Sequence, residues 1–305
     1  GRAGRGLLRR CLPVAQWRGW DALVPATIRA VRREELDLAL DWAAAEGWNP
    51  GLSDAPCFFA ADPGGFLLAE LAGEPVGCVS AVRYGDGFGF LGFYIVRPGH
   101  RGRGHGLALW WTAMARLRPG TVGLDGVVAQ QANYRRSGFD LLHRNIRFGA
   151  ARPVAPAAAA PGVTIRAAAD LPFESLAAFD RRFFPAPRDA FLRAWTGAAG
   201  HVARVAVGPG GGRGLAVLRP CREGSKIGPL FAKDGAAARA LFAALLEAAP
   251  PGPVFLDLPE PNADAVAMAS AAGMTPAFET ARMYAGPPPS LPVARIYGIT
   301  SFELG

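Results

Sequence analysis

The sequence predicts an α/β (α+β) protein of two similar domains, each with a mixed, mainly antiparallel sheet flanked by helices. Two observations lead to this prediction. Short apolar runs typical of strands alternate with glycine turns and helical patterns between residues 27 and 148. Residues 163–305 then repeat several features of that unit in the same order, which indicates a duplicated domain.

The first unit opens with a predicted strand at residues 28–31 and a predicted helix at 34–46. Three strands separated by turn signals follow, at residues 66–71, 76–84 and 88–96. A glycine-rich turn then leads into a predicted helix. The last three elements are a strand that begins at residue 122, a short helix at 129–137 stopped by Gly138, and a strand at 141–148 that closes the unit.

The repeat has nearly constant spacing. Four segments match, at offsets of 136, 132, 135 and 135 residues: 91–96 with 227–232, Leu124-Asp125 with Leu256-Asp257, Gly138-Phe139 with Gly273-Met274, and Arg147-Phe148 with Arg282-Met283. The glycine-rich turn has no counterpart, because only Lys233-Asp234-Gly235 precedes the second helix. We therefore expect one ligand site per chain, with the second domain shaping the cleft or a homodimer.

Composition sets the predicted boundaries: a disordered basic tail at residues 1–25, a first domain at 26–149, a linker at 150–162 and a second domain at 163–305. Residues 1–33 hold eight arginines and one acid, a net charge of +7. Since the whole chain carries +8, the other 272 residues carry +1. The excess of positive charge thus lies mostly in the tail, which also has the Arg-rich, acid-poor composition of a transit peptide. A nucleic-acid partner is not expected.

Cysteines and histidines are too scattered to form a metal site. The thiols are Cys11, Cys57, Cys78 and Cys221, and no Cys/His cluster has zinc-ligand spacing. This distribution fits a reducing compartment and no metal cofactor. No apolar run approaches the ~20 residues that span a bilayer. We therefore predict a cytoplasmic protein without a membrane partner.

The turn at residues 101–106 has the features of a pyrophosphate site. The first N–H groups of a helix lack internal partners, and the helix dipole adds positive charge there, so a phosphate is favoured. Gly102, Gly104 and Gly106 leave the backbone accessible, while Arg101 and Arg103 add charge in a geometry that suits phosphate. The simpler alternative is a tight turn that binds nothing.

Other nucleotide motifs fit this turn less well. No Gly-Lys-Ser/Thr run exists, and the glycine spacing is GxGxG where a dinucleotide site has GxGxxG. Asp125 lies 19 residues after Gly106, near the position of the dinucleotide acid, but the flanking units look antiparallel rather than βαβ.

Two motifs resemble the GNAT superfamily of N-acetyltransferases. The first is Arg101-x-x-Gly104-x-Gly106 after an apolar strand, which is similar to the coenzyme motif of the superfamily, Gln/Arg-x-x-Gly-x-Gly/Ala. The second is residues 134–139, which are similar to its Tyr-x-x-x-Gly-Phe segment. Leu124-Asp125 lies where members commonly have Leu-Glu. One departure is Gln130 or Gln131 where members usually have Asn. The duplicated layout and the end at residues 295–304 resemble the two-domain bacterial YitH/HolE-type group, whose C-terminal half is a degenerate GNAT domain.

The resemblance implies tandem GNAT-like domains with splayed central strands and a site for acetyl-CoA in the first. The backbone amides of residues 102–107 are implied to bind the pyrophosphate. The strand at residues 94–96 pairs with the pantetheine arm, and an amide near Tyr94 polarises the thioester carbonyl. The implied coenzyme-binding residues are Tyr94, Ile95, Val96, Arg101, Gly102, Arg103, Gly104, His105, Gly106 and Leu107.

By the same resemblance, Tyr134 protonates the leaving thiolate. A thiol pKa of about 8.5 against a phenol pKa of about 10 also allows it to assist by hydrogen bonding alone. The alternative for Tyr134 is a core aromatic beside Phe139. The acceptor amine needs a base, for which Asp86 and Asp125 are the nearest candidates. Pocket candidates in the loop-rich region that covers the acceptor are Trp48, Phe58 and Phe59.

The predicted function is acetyl transfer from acetyl-CoA to an amine of a small molecule or a protein, by direct attack in a ternary complex. Two other hypotheses stay open: a non-catalytic module that senses acyl-CoA, and a nucleic-acid-associated protein suggested by the basic tail.

Overall fold

The computed structural model describes residues 26–156 and 162–305, so the predicted tail at 1–25 lies outside the described residues. The strands of the first half are β1 (Thr27–Ala30), β2 (Phe66–Leu71), β3 (Glu74–Tyr84), β4 (Phe88–Val96), β5 (Thr121–Val127) and β6 (Asp140–Ala150). Its helices are α1 (Leu36–Ala45), α2 (Asp54–Ala61), α3 (His105–Leu117) and α4 (Gln131–Arg136).

The second half repeats this order. Its strands are β7 (Thr164–Ala167), β8 (Val202–Gly208), β9 (Gly211–Pro220), β10 (Ser225–Ala232), β11 (Val254–Pro259), β12 (Thr275–Ala285) and β13 (Ile296–Gly298). Its helices are α5 (Phe173–Asp180), α6 (Asp189–Gly197), α7 (Gly235–Ala248) and α8 (Ala263–Ala271). The elements predicted for the first half are present. Helix α2 was not predicted, and its Pro56 is tolerated because it lies in the first turn.

The described strands form one sheet that runs through both halves. Its order is β1-β2-β3-β4-β5-β12-β6-β11-β10-β9-β8-β7, and β13 pairs with β10. The β4–β5 and β10–β11 pairs are parallel and the others antiparallel, so the predicted mixed, mainly antiparallel sheet is confirmed. Strand β6 does not close its own half as predicted. The halves exchange strands: β12 pairs with β5, and β6 pairs with β11.

Two buried ion pairs connect the exchanged strands. Asp125 of β5 accepts hydrogen bonds from Nε and an Nη of Arg282 on β12, at 2.7 and 2.6 Å. Asp257 of β11 accepts two from Arg147 on β6, at 2.6 and 2.8 Å. These four residues repeat in the sequence at offsets of 132 and 135. Each aspartate therefore pairs with the arginine of the other half.

The halves also share a hydrophobic core. Phe58 of α2 stacks on Trp195 of α6 with ring centroids 5.9 Å apart, and Tyr84 of β3 meets Phe184 edge-on at 4.7 Å. All four side chains are buried in one cluster that draws on both halves. The burial of large aromatic side chains there favours a fixed arrangement of the two halves.

In the second half, the region that corresponds to the predicted ligand site is filled by the chain itself. Strands β10 and β11 pair only over residues 225–227, and β13 then pairs with β10 at Leu230 and Phe231. At the start of α7, the Asp234 carboxylate accepts a hydrogen bond from the Ala237 amide at 2.9 Å. A carboxylate at the helix N-terminus occupies the place that an anion would take.

Candidate active site

Strands β4 and β5 diverge and open a cleft in the first half. They pair over residues 88–91 and 121–124, and no pairing follows although β4 continues to Val96. The cause is local: Phe93 has a left-handed φ of +46°, and the register of β4 against β3 shifts between Ser80 and Cys78. Such a bulge bends its strand. The divergence leaves one edge of residues 92–96 without a strand partner among the described residues.

A cavity of about 730 Å³ fills this β4–β5 cleft. First-half walls come from β4, the start of α3, the end of β5 and Tyr134 of α4. The second half supplies four lining residues: Phe278, Thr280, Phe302 and Glu303. The cavity is therefore built from both halves and depends on the strand exchange.

The start of α3 lies at one end of the cavity and has no side-chain cap. Its N-cap residue is Gly104, with a left-handed φ of +84°, and Gly102 is also left-handed at +73°. A Cβ on Gly106 would lie 2.8 Å from the hydroxyl oxygen of Tyr94. Glycines are thus required for both backbone conformation and space. The uncapped amides and the helix dipole make this end suited to an anion, unlike the start of α7.

The basic residues of the turn have different roles. Arg101 donates from Nε to the Val96 carbonyl at 2.7 Å and forms an ion pair with Glu46, so it is held beside the end of β4. Arg103 is exposed. His105 is buried, and burial lowers its pKa, with the nearby His100 adding to the effect.

Three aromatic side chains, Tyr94, Trp110 and Tyr134, pack together in the cavity wall. Trp110 stacks on Tyr134 with ring centroids 5.7 Å apart and meets Tyr94 edge-on at 5.5 Å. Burial, with a smaller contribution from Tyr94, raises the pKa of Tyr134 to about 12. Gly126 permits this packing, since its Cβ would lie 2.2 Å from the Tyr134 ring. The Tyr134 hydroxyl therefore keeps its proton and can donate a hydrogen bond into the cavity.

The two carboxylates predicted as bases are placed differently from expectation. Asp125 lines the cavity, but its carboxylate accepts hydrogen bonds from Arg282 and, at 2.8 Å, from Asn145. Asp86 is exposed in the β3–β4 turn and does not line the cavity.

Of the three predicted pocket aromatics, Trp48 lines the cavity. Phe58 is fully buried between Phe93 and Trp195, and Phe59 packs against the same core. Both lie on α2, which turns them away from the cavity because its apolar face joins the shared core. Sequence reasoning missed the cavity residue Glu303, whose signal is that it is the one charged residue among residues 296–305.

Comparisons with known proteins fit this geometry. Residues 30–139 match the Acetyltransferase (GNAT) family, and residues 176–298 match an Acetyltransferase (GNAT) domain. The holothin acyltransferase of Pseudoalteromonas sp. (strain SANK 73390) is 33% identical over 280 residues, which cover 92% of this chain and 94% of that protein. The chain belongs to the GNAT family. It is a two-domain GNAT acyltransferase.

Solved GNAT structures share the fold. A putative acetyltransferase from Pyrococcus horikoshii superposes with a TM-score of 0.78 at 22% identity, over 93% of this chain and 97% of that chain. A tandem GNAT protein from the clavulanic acid biosynthesis pathway gives a TM-score of 0.60 at 16% identity, over 86% and 99%. The predicted tandem GNAT architecture is therefore confirmed.

The described parts of this GNAT protein hold no group of three or more His, Cys, Asp or Glu side chains placed to bind a metal ion. None of the helices within residues 26–156 and 162–305 is both long enough and apolar enough to cross a bilayer. GNAT proteins generally use an acyl-CoA, and the residues present fit one. The uncapped α3 amides suit its pyrophosphate, and the free edge of β4 suits its pantetheine amides.

Proposed function

We propose that the protein transfers an acetyl group from acetyl-CoA to an amine by direct attack in a ternary complex. One observation carries the proposal: the uncapped start of α3, the free edge of β4 and the Tyr134 hydroxyl all border one cavity. An activated acyl thioester supplies the chemistry, and the protein binds, orients and moves protons. Acyl transfer of this kind needs no metal.

The residues of the first half have distinct roles in this proposal. The amides at residues 102–107 hold the pyrophosphate, and Arg101 keeps the turn against β4. The backbone of β4 beyond the Phe93 bulge orients the pantetheine arm and directs an amide at the acyl carbonyl. The protonated Tyr134 hydroxyl donates a hydrogen bond to the leaving sulfur.

The acceptor side of the cavity favours a small molecule with an apolar body. Trp48 comes from the first half and Phe278 and Phe302 from the second, and all three line the cavity. Aromatic walls of this kind bind flat or apolar groups. The relative with 33% identity is named as a holothin acyltransferase, so holothin is the first acceptor to test.

Release of CoA in the presence of amines tests the proposal. The panel is holothin, an aliphatic primary amine, an aromatic amine, a free amino acid and a lysine peptide, each with acetyl-CoA and with longer acyl-CoAs. We expect amine-dependent CoA release with acetyl-CoA as the best donor, and a product heavier by one acetyl group. Binding of acetyl-CoA without CoA release from any amine would instead favour the non-catalytic sensing module.

Tyr134→Phe is expected to lower kcat about 10- to 100-fold. The hydroxyl hydrogen bond to a developing thiolate is worth about 1.5–3 kcal/mol, and it is lost, while the ring packing on Trp110 stays. The dissociation constant for acetyl-CoA should change little, because the pyrophosphate and β4 contacts remain. Steady-state kinetics and calorimetry measure the two quantities.

Tyr297→Phe is the matched control, since its hydroxyl donates to Asp264 and does not line the cavity. It should leave kcat unchanged. A Tyr134→Phe variant with wild-type kcat would contradict the assigned role. Because the pKa of Tyr134 is about 12, its ionisation should produce no loss of activity below about pH 10.

A further inference from the structure

Residues 299–305 bring two side chains, Phe302 and Glu303, to the active-site cavity. After β13, residues 299–305 are all buried. Tyr84 of β3 donates a hydrogen bond to the Leu304 carbonyl at 3.0 Å, and Arg188 donates to the Thr300 hydroxyl at 3.0 Å. The segment is thus held by both halves, at Thr300 by Arg188 of the second and at Leu304 by Tyr84 of the first.

This segment lies directly on β4 beside the bulge. A Cβ on Gly92 would lie 2.2 Å from the backbone oxygen of Glu303, so a glycine is needed for the two chains to approach. Gly92 precedes Phe93, whose left-handed conformation turns the following amides of β4 toward the cleft. Glu303 therefore lies next to the part of β4 that would orient the acyl group.

The Glu303 side chain lines the cavity but has no partner among the described residues. The residue is 4% exposed, and its carboxylate makes no hydrogen bond and no ion pair with any described residue. The other carboxylates that line the cavity are engaged, Asp125 by Arg282 and Glu46 by Arg101. A carboxylate that is largely withdrawn from solvent and has no partner lowers stability, and its presence calls for an explanation such as a functional role.

The charges around Glu303 come from four elements: Lys226 of β10, Arg219 of β9, Arg147 of β6 and Asp54 of α2. The three cations already have other anionic partners. Arg147 and Lys226 lie at 2.6 and 3.9 Å from the Asp257 carboxylate.

Arg219 lies 3.0 Å from the Asp54 carboxylate. Burial raises the pKa of Glu303 above its ordinary value, and the surrounding cations oppose this only in part. The carboxylate is therefore a stronger base than an exposed glutamate.

We infer that Glu303, carried by the degenerate half, accepts the proton of the attacking amine in the cavity of the catalytic half. This inference rests on the proposed function. The nitrogen forms its bond to the acyl carbon and gives one proton to the Glu303 carboxylate, and the carbon–sulfur bond breaks. The thiolate leaves with a hydrogen bond from the Tyr134 hydroxyl and takes its proton from solvent, while Glu303 releases its proton to solvent through the cavity.

The experiment uses the full chain and the amine of the panel that supports the fastest CoA release. Glu303→Gln should lower kcat by about 10²- to 10⁴-fold, the usual contribution of a positioned base. The dissociation constant for acetyl-CoA should stay within about threefold of the wild-type value. The unfolding temperature should equal that of the wild type within experimental error. Glu303→Asp keeps a carboxylate and should recover part of the rate.

The pH profile separates a base from a structural residue. In the wild type, kcat should fall as the pH drops through the pKa of Glu303, because the protonated carboxyl cannot accept a proton. Glu303→Gln should lose this acidic limb. Glu260→Gln, on the surface after β11, is the control and should retain both the rate and the limb.

Two results overturn the inference in distinguishable ways. Wild-type turnover together with a Glu303→Gln variant that keeps the rate and the acidic limb excludes Glu303 as the proton acceptor, while the proposed function stands. Absence of CoA release by the wild type with every amine overturns the proposed function, and the inference with it.

Discussion

Replacing Arg282 with leucine is expected to lower the free energy of unfolding by about 3–5 kcal/mol, the usual cost of breaking a buried ion pair from one side. The variant leaves the Asp125 carboxylate buried between β5 and β12 with only the Asn145 amide as a donor. Chemical denaturation followed by fluorescence measures the loss. Arg147→Leu should cause a similar loss of stability, because Asp257 would then have only Lys226, 3.9 Å away, as a cationic partner.

Arg144→Leu is the matched control for this prediction. Arg144 also connects β6 to β12, through Glu279 at 3.1 Å, but both side chains are about half exposed. Exposed pairs contribute about 0–1 kcal/mol, so this change should be small. The double variant Arg282→Leu/Asp125→Leu should recover much of the lost stability, since no unpaired charge remains. A loss below about 1 kcal/mol for Arg282→Leu would contradict the role of the pairs.

The first half alone is expected neither to fold cooperatively nor to bind acetyl-CoA. Residues 26–149 would lack β12, which pairs with β5, and would leave β6 without β11. They would also lack Phe278 and Phe302 of the cavity wall and expose Phe58, which packs on Trp195. Circular dichroism, thermal melting and calorimetry with acetyl-CoA test the fragment.

A chain cut between the halves is the control for that fragment. A protease site inserted within residues 150–162 allows cleavage after folding, and the exchanged strands should keep the two pieces together. We expect one particle by size-exclusion chromatography with unchanged affinity for acetyl-CoA. Cooperative unfolding and wild-type affinity of residues 26–149 alone would contradict a cavity that depends on both halves.

The local part of the fold was predictable because it follows from short-range patterns. Alternating apolar runs gave β2, β3 and β4, and Gly138 marked the end of α4. The glycine turn predicted an anion site because helix starts leave amides free. The duplication followed from matched residues. Four of them, Asp125 with its counterpart Asp257 and Arg147 with its counterpart Arg282, form the buried pairs, in which each aspartate binds the arginine of the other half.

The exchange of strands was not predictable from these patterns. A β6 paired within its own half and a β6 paired with β11 need the same alternation of apolar residues, because both are antiparallel neighbours in a sheet. The choice depends on contacts far apart in sequence, such as Asp125 with Arg282. The positions of Phe58 in the shared core and of Glu303 in the cavity also depend on contacts between residues far apart in sequence.

Calorimetric titration with acetyl-CoA shows whether the β4–β5 cleft binds this coenzyme through the uncapped start of α3. Gly104→Glu places a side chain at a left-handed position and a carboxylate at the anion site, so we expect affinity to fall more than about 100-fold. Gly210→Glu in the β8–β9 turn, where an added Cβ meets nothing within 4 Å, should bind like the wild type. If the wild-type protein binds no acetyl-CoA, or if Gly104→Glu protein binds it equally well, the start of α3 is not the coenzyme site.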